Sequence, residues 1–136
     1  MKTALSIKEK AFIGRFIAER LSPDFVLLFG SGARNELRPD SDLDLAFLSE
    51  VEKDRYTVFM IAQELAGELG RDVDLIDLKK ASTVMKAQIA GNGQLLYAKD
   101  PLRYRMFTMA AFKEYALLNE ERQNIIAWYL SGGPND

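Results

Sequence analysis

The chain has 136 residues, 48% of them apolar, and 18 Lys and Arg against 20 Asp and Glu give a net charge of −2. That length suits one domain with its own core, and the balance excludes a disordered chain and a polybasic nucleic-acid binder. Cysteine and histidine are both absent, which removes disulfides, thiolate or imidazole metal sites and Ser-His-Asp chemistry.

The first ten residues, M-K-T-A-L-S-I-K-E-K, carry charges every few positions and no apolar run of signal-peptide length. No stretch approaches the roughly 18 apolar residues of a membrane span, so a cytoplasmic protein is expected. Ser6 with Glu9 three residues on predicts a capping box. Ile13, Phe16, Ile17 and Leu21, with Phe12 alongside, then form one apolar helical stripe. Leu21-Ser22-Pro23-Asp24 stops that helix. Phe25 to Phe29 is a continuous apolar run of strand length, predicted to be buried on both faces. Gly30 ends it, Ser31 to Leu37 suits a short helical turn, and Arg38-Pro39-Asp40-Ser41 is a turn.

Asp42 to Leu48 reads as a second strand, and so short a connection predicts an antiparallel pair. A helix from about Asp54 follows, with Val58, Ala62, Leu65 and Leu69 in register and Gly70 as its C-terminal cap. It is long enough to be a crossover to a third strand, Asp72 to Leu78. Asp72, Asp74 and Ile76 share one face of that strand, with Val73, Leu75 and Asp77 on the other. Asp72 and Asp77 read as surface or capping residues, and Lys79 and Lys80 as a solvated face. Ser82 caps a short helix over 83–90, Gly91-Asn92-Gly93 turns the chain, and Gln94 to Tyr97 is a short strand. Asp100-Pro101 opens a final helix running to about Leu130, ended by Ser131-Gly132-Gly133-Pro134. The expected class is α/β (α+β): a small mixed sheet flanked by helices, with a long C-terminal helix. One domain spans 1–136, with a core to about residue 100 and a helical extension over about 101–131.

The chemistry concentrates around the second strand. Asp42 and Asp44 stand at i and i+2, so an extended backbone points both carboxylates the same way, with Cα atoms about 7 Å apart. If the third strand lies beside the second, Asp74 faces the same cleft. Three carboxylates on adjacent strands, with no histidine or lysine among them, repel one another unless cations neutralise them. Without histidine or cysteine such a cation must be hard and oxygen-ligated: Mg²⁺, Mn²⁺ or Ca²⁺. Two ions about 3.5–4 Å apart would suit in-line phosphoryl or nucleotidyl transfer, with Asp74 as general base. Gly30 lets the backbone approach a phosphate, Ser31 offers a hydroxyl and an N–H, and Arg34 and Arg38 can balance phosphate charge.

Gly30-Ser31, ten intervening residues, then Asp42-Leu43-Asp44 matches the G-S-x10-D-x-D signature of the DNA polymerase β-like nucleotidyltransferase superfamily. The stretch G-S-G-A-R-N-E-L-R-P-D-S-D-L-D-L resembles the minimal nucleotidyltransferase (MNT) branch, whose usual form is G-S-x-A-R-G-x-x-x-x-x-S-D-I-D-L. The resemblance covers Phe25 to about Tyr97 and implies a nucleotidyltransferase fold. It implies that Ser31 binds nucleotide phosphate, that Asp42 and Asp44 ligate Mg²⁺ (Mn²⁺ as a substitute), and that Asp74 is the third carboxylate. The departures are Gly32, where arginine is frequent and a phosphate contact is lost, and Asn35, where glycine is frequent. Asparagine tolerates a left-handed backbone, so the second changes little.

MNT proteins are often antitoxin partners of HEPN-domain ribonuclease toxins. The resemblance therefore implies transfer of AMP from ATP to a tyrosine hydroxyl of such a toxin. The HEPN motif needs a histidine, so this chain is not the toxin. Met106, Met109, Phe112, Tyr115, Leu118, Ile125, Trp128 and Tyr129 spread around the final helix more widely than a single stripe. They can pack on the chain's own core or present a surface to the HEPN partner, in a homo- or hetero-oligomer. Two other functions stay open: a binding-only antitoxin, toward which Gly32 leans, and a small-molecule nucleotidyltransferase of the aminoglycoside-modifying kind.

Overall fold

The computed structural model describes residues 4–38 and 40–133. Pro39 and Pro134, each part of an expected turn, lie outside the described residues. The chain begins with α1 (Ile7–Leu21), capped by the reciprocal Ser6–Glu9 box and closed by Ser22 in a left-handed conformation. Its stripe of Ile13, Phe16, Ile17 and Leu21 is buried. Then come β1 (Phe25–Phe29), β2 (Leu43–Leu48), α2 (Arg55–Leu69), β3 (Val73–Asp77) and a single 3-10 turn (Leu78–Lys80). The last elements are α3 (Thr83–Asn92), β4 (Gln94–Ala98) and α4 (Pro101–Leu130). Asp54, Ser82 and Asp100 each cap the helix that follows, accepting a backbone N–H with the side chain. Gly70 closes α2 in the left-handed conformation.

The strands form one sheet in the order β3-β2-β1-β4. β1 pairs antiparallel with β2, as the short connection predicts, and antiparallel with β4. The α2 crossover makes β3 parallel to β2, with Asp44 opposite Asp74. Alternation splits the sheet's two faces. Val26, Leu28, Leu43, Leu45, Phe47 and Leu75 pack under α1 and α2, while Phe25, Leu27, Ala46 and Ile76 pack toward α3 and the start of α4. Tyr104 and Phe107 of α4 lie against Phe25, each with ring centroids 5.3 Å from it.

Several boundaries move: β3 is Val73–Asp77, with Leu78 passing into the 3-10 turn. β2 starts at Leu43, so Asp42 stands one residue before the strand; α3 runs to Asn92 and β4 to Ala98. Of the two roles expected for Asp77, surface or capping, it takes the second, as the N-cap of the 3-10 turn. It is 6% exposed, and its carboxylate accepts the N–H groups of Lys53 and Lys79, pinning the approach to α2 onto the end of β3. Among the described residues no helix is long and apolar enough to cross a membrane.

Of α4's thirty residues only Ala111 is buried. Met106, Met109, Phe112, Ile125, Trp128 and Tyr129 are all exposed, and residues 121–130 are exposed throughout. Tyr115 and Leu118 are half-buried, so packing on the chain's own core reaches past the middle of the helix and leaves its last turns uncovered.

Candidate active site

Strand alternation and register bring Asp42, Asp44 and Asp74 to one face of the sheet. Leu43, Leu45 and Leu75 point to the α1–α2 face, so Asp42, Asp44 and Asp74 take the opposite one. The register puts Asp44 directly across from Asp74, in neighbouring strands about 4.8 Å apart. Phe29, the last residue of β1, faces Asp44 from the other side. The α4 aromatics rest on Phe25, four residues back along β1, which leaves the carboxylate end of this face open. Asp42 and Asp74 are exposed and Asp44 is half-buried.

The carboxylates feel one another. Burial raises the pKa of Asp44 above its ordinary value, and the charges of Asp74 and then Asp42 raise it further, while Arg34 opposes them. An all-oxygen set of this kind suits a hard divalent cation, whose charge would relieve the repulsion. Among the described residues no three acidic side chains are already gathered into a metal cage. The three aspartates are neighbours by register, with side chains still apart.

The glycine of the Gly-Ser pair has two reasons to be glycine. Its φ is +69°, and a Cβ at this position would collide with the Oδ2 of Asp44. The first motif thus packs directly on the second. Ser31 follows at the start of a turn in which its carbonyl accepts Glu36 N–H at 2.9 Å and that of Gly32 accepts Asn35 N–H at 3.3 Å. Asn35 takes the left-handed conformation, φ +57°. Gly32 is buried, and a Cβ there would sit 2.9 Å from the Cδ1 of Leu28. An arginine at that position would require the fully buried Leu28 to shift.

The arginines differ. Arg34 acts on Asp44 by charge and pairs with Glu36 at 3.3 Å. Arg38 is exposed and joins the loop only through its backbone: its N–H donates to Ser41 Oγ and its carbonyl accepts from Arg71 Nη1 at 3.2 Å. Arg71 was not among the residues singled out from the sequence. It ties the loop before Asp42 to the approach of β3, and only the fold reveals that. A cavity of about 620 Å³ beside Asp74, walled by α2 and by the start of α3, is likewise invisible in the sequence.

In sequence and fold the chain is similar to known proteins. The family model for polymerase beta nucleotidyltransferases matches residues 13–102. A protein adenylyltransferase, MntA, from Shewanella oneidensis is 36% identical over 101 residues, covering 74% of this chain and 72% of the relative. A toxin-antitoxin crystal structure with AMP-PNP superposes with a TM-score of 0.79 at 30% identity, over 93% of this chain and 99% of the other. A structure of a tri-AMPylated Shewanella oneidensis HEPN toxin in complex with its MNT antitoxin has a TM-score of 0.74 at 28% identity, over 92% and 99%.

Proposed function

The chain belongs to the polymerase beta nucleotidyltransferase family, and from that premise we propose that it is a Mg²⁺-dependent protein adenylyltransferase that moves AMP from ATP to a tyrosine hydroxyl of a HEPN toxin. The modification neutralises the toxin, which makes this chain its antitoxin. The observation that carries the reading is the direct opposition of Asp44 and Asp74, with Gly30 packed on Asp44. A Gly-Ser turn beside acidic groups at one end of the sheet supports this reading.

In this reading the acceptor oxygen attacks the α-phosphorus of ATP. An O–P bond forms, the bond from the α-phosphorus to the bridging oxygen breaks, and pyrophosphate leaves. Asp74 receives the hydroxyl proton. Gly30 and Ser31 hold the phosphates by close backbone approach, N–H and hydroxyl. Arg34 and Arg38 balance phosphate charge. Asp42, Asp44 and Asp74 would hold Mg²⁺, two ions in the full site, with Mn²⁺ as a substitute; bound there, the metal supplies charge neutralisation and lowers the acceptor's pKa. Use of ATP fits a cytoplasmic protein. The exposed apolar side chains of α4 (Ile125, Ile126, Trp128 and Tyr129 among them) are read as the partner's docking surface.

Incubation with ATP labelled at the α-phosphate, Mg²⁺ and the co-encoded partner is expected to label the partner. The Asp42→Ala/Asp44→Ala double variant should lower the rate by about a thousandfold or more. Equal labelling by the two proteins would refute the reading. Neutralisation of the toxin by the double variant at matched expression would instead favour an antitoxin that acts by binding alone.

A further inference from the structure

The order of the sheet separates two sides of the candidate site. Ser31 follows β1, Asp42 and Asp44 belong to β2, and Asp74 lies on β3, at the sheet's edge. Donor phosphates on the β1 side leave the β3 side for the acceptor.

That edge is unusually available. The Asp72 carbonyl accepts Leu43 N–H at 2.8 Å, so alternation turns the backbone groups of Asp74 and Ile76 toward β2 as well. The N–H and C=O groups of Val73 and Leu75 then point outward. Among the described residues no strand or loop pairs with them. Sheet edges are ordinarily blunted by bulges, charges or a covering segment. Here the edge lies in the 620 Å³ cavity, with Phe59 on the α2 wall and Met85 on the α3 wall. Phe59 is 57% exposed and Met85 37%. These are apolar walls along a row of unpaired backbone groups, which is how an extended peptide is bound.

We propose that this edge is the docking site for the acceptor segment of the protein substrate, which adds to β3 as an extended strand and brings its hydroxyl to Asp74. The proposal rests on the protein-adenylyltransferase reading and names where that site takes its substrate. Two features select the occupant. Asp74 lines the groove itself, so the groove is continuous with the candidate catalytic carboxylates. Arg55 and Lys80 line it too, at the end marked by Asp77. There Lys53 N–H donates to Asp77, and Lys80 Nζ donates to the Lys53 carbonyl at 2.7 Å. Asp77 also lines the cavity but is 6% exposed and held by two N–H groups, so Arg55 and Lys80 are the exposed charged side chains that line this end. Asp74 and Asp77 are three residues apart, about 10 Å along a strand. The occupant is therefore an extended segment with an acidic side chain three or four positions from its acceptor hydroxyl.

The test uses the full-length chain and its purified co-encoded partner. Phe59→Glu and Arg55→Glu both alter exposed side chains at the groove. Each is expected to raise KM for the partner about tenfold or more. The kcat at saturating partner, the melting temperature and the binding of a fluorescent ATP analogue should stay unchanged. A photo-crosslinking benzoylphenylalanine replacing Phe59 should capture partner peptides that contain the acceptor residue or its near neighbours. Transfer with KM unchanged in both variants, or cross-links confined to segments remote from the acceptor, overturns the groove and leaves the adenylyltransferase reading standing. No transfer by the unmodified protein overturns both.

Discussion

The first and last helices contain similar kinds of residues and meet opposite fates. In α1 the apolar side chains fall on one stripe, and Ile13, Phe16, Ile17 and Leu21 are buried against the sheet. In α4, twice as long, apolar side chains spread around the cylinder and only Ala111 is buried. In proteins most of a helix's stability comes from packing of an apolar face rather than from propensity. A single flat sheet can cover only one face. The difference teaches that the early part of α4 serves this chain's core, while its exposed last turns are the part the proposed docking of a partner would use.

The largest expected effect on stability lies in the packed region. Leu45 is fully buried between the sheet and α1–α2, and Leu45→Ala should cost about 2–5 kcal/mol in urea unfolding. Ile126→Ala, on a side chain 57% exposed, should change stability by less than about 0.5 kcal/mol. Equal costs at the two positions would break the comparison. The next effect is on binding. Ile126→Asp with Tyr129→Asp should leave the unfolding curve in place yet weaken partner affinity about tenfold or more, roughly 1.4 kcal/mol, in a titration. Unchanged affinity would remove the distal half of α4 from the interface.

The smallest effect sharpens the comparison from inside the body, at the open carboxylate end of the sheet, where like charges oppose stability. Asp44 has a raised pKa, first from burial and then from Asp74 and Asp42. A raised carboxylate pKa means that the folded state binds protons more tightly than the unfolded one. Stability therefore falls as pH rises through the window between the two values, and stays lower above it. Asp44→Asn removes that loss. In metal-free buffer its melting temperature should exceed that of the unmodified protein at neutral pH, and the gap should close below the carboxylate range. A gap of the same size at both pH values would show that the repulsion is not the cause.

Much of the fold was legible because its signals are local. Ser6, Asp54, Ser82 and Asp100 announce their helices by bonding N–H groups two or three residues away, and such bonds need no distant partner. The continuous run Phe25–Phe29 and the alternation after Asp42 marked two strands for the same reason. The spacing from Gly30-Ser31 to Asp42 and Asp44 was equally readable, and so was the use of α2 as a crossover. Burial of Asp77 was not legible, because it depends on Lys53, 24 residues away. Nor was the hold of Arg71 on the loop carbonyl of Arg38, 33 residues away.

By itself, then, the sequence determined which residues are helical or extended, which atoms are available for chemistry, and, through the missing histidine and cysteine, which metals are admissible. Tertiary structure alone decided the register that sets Asp44 against Asp74, the fit of Gly30 onto the Asp44 carboxylate, the free edge of β3 and the exposure of α4. The division has a physical basis. Caps and alternation are fixed by bonds between near neighbours, whereas strand order, register and exposure are settled by contacts between segments far apart in the chain.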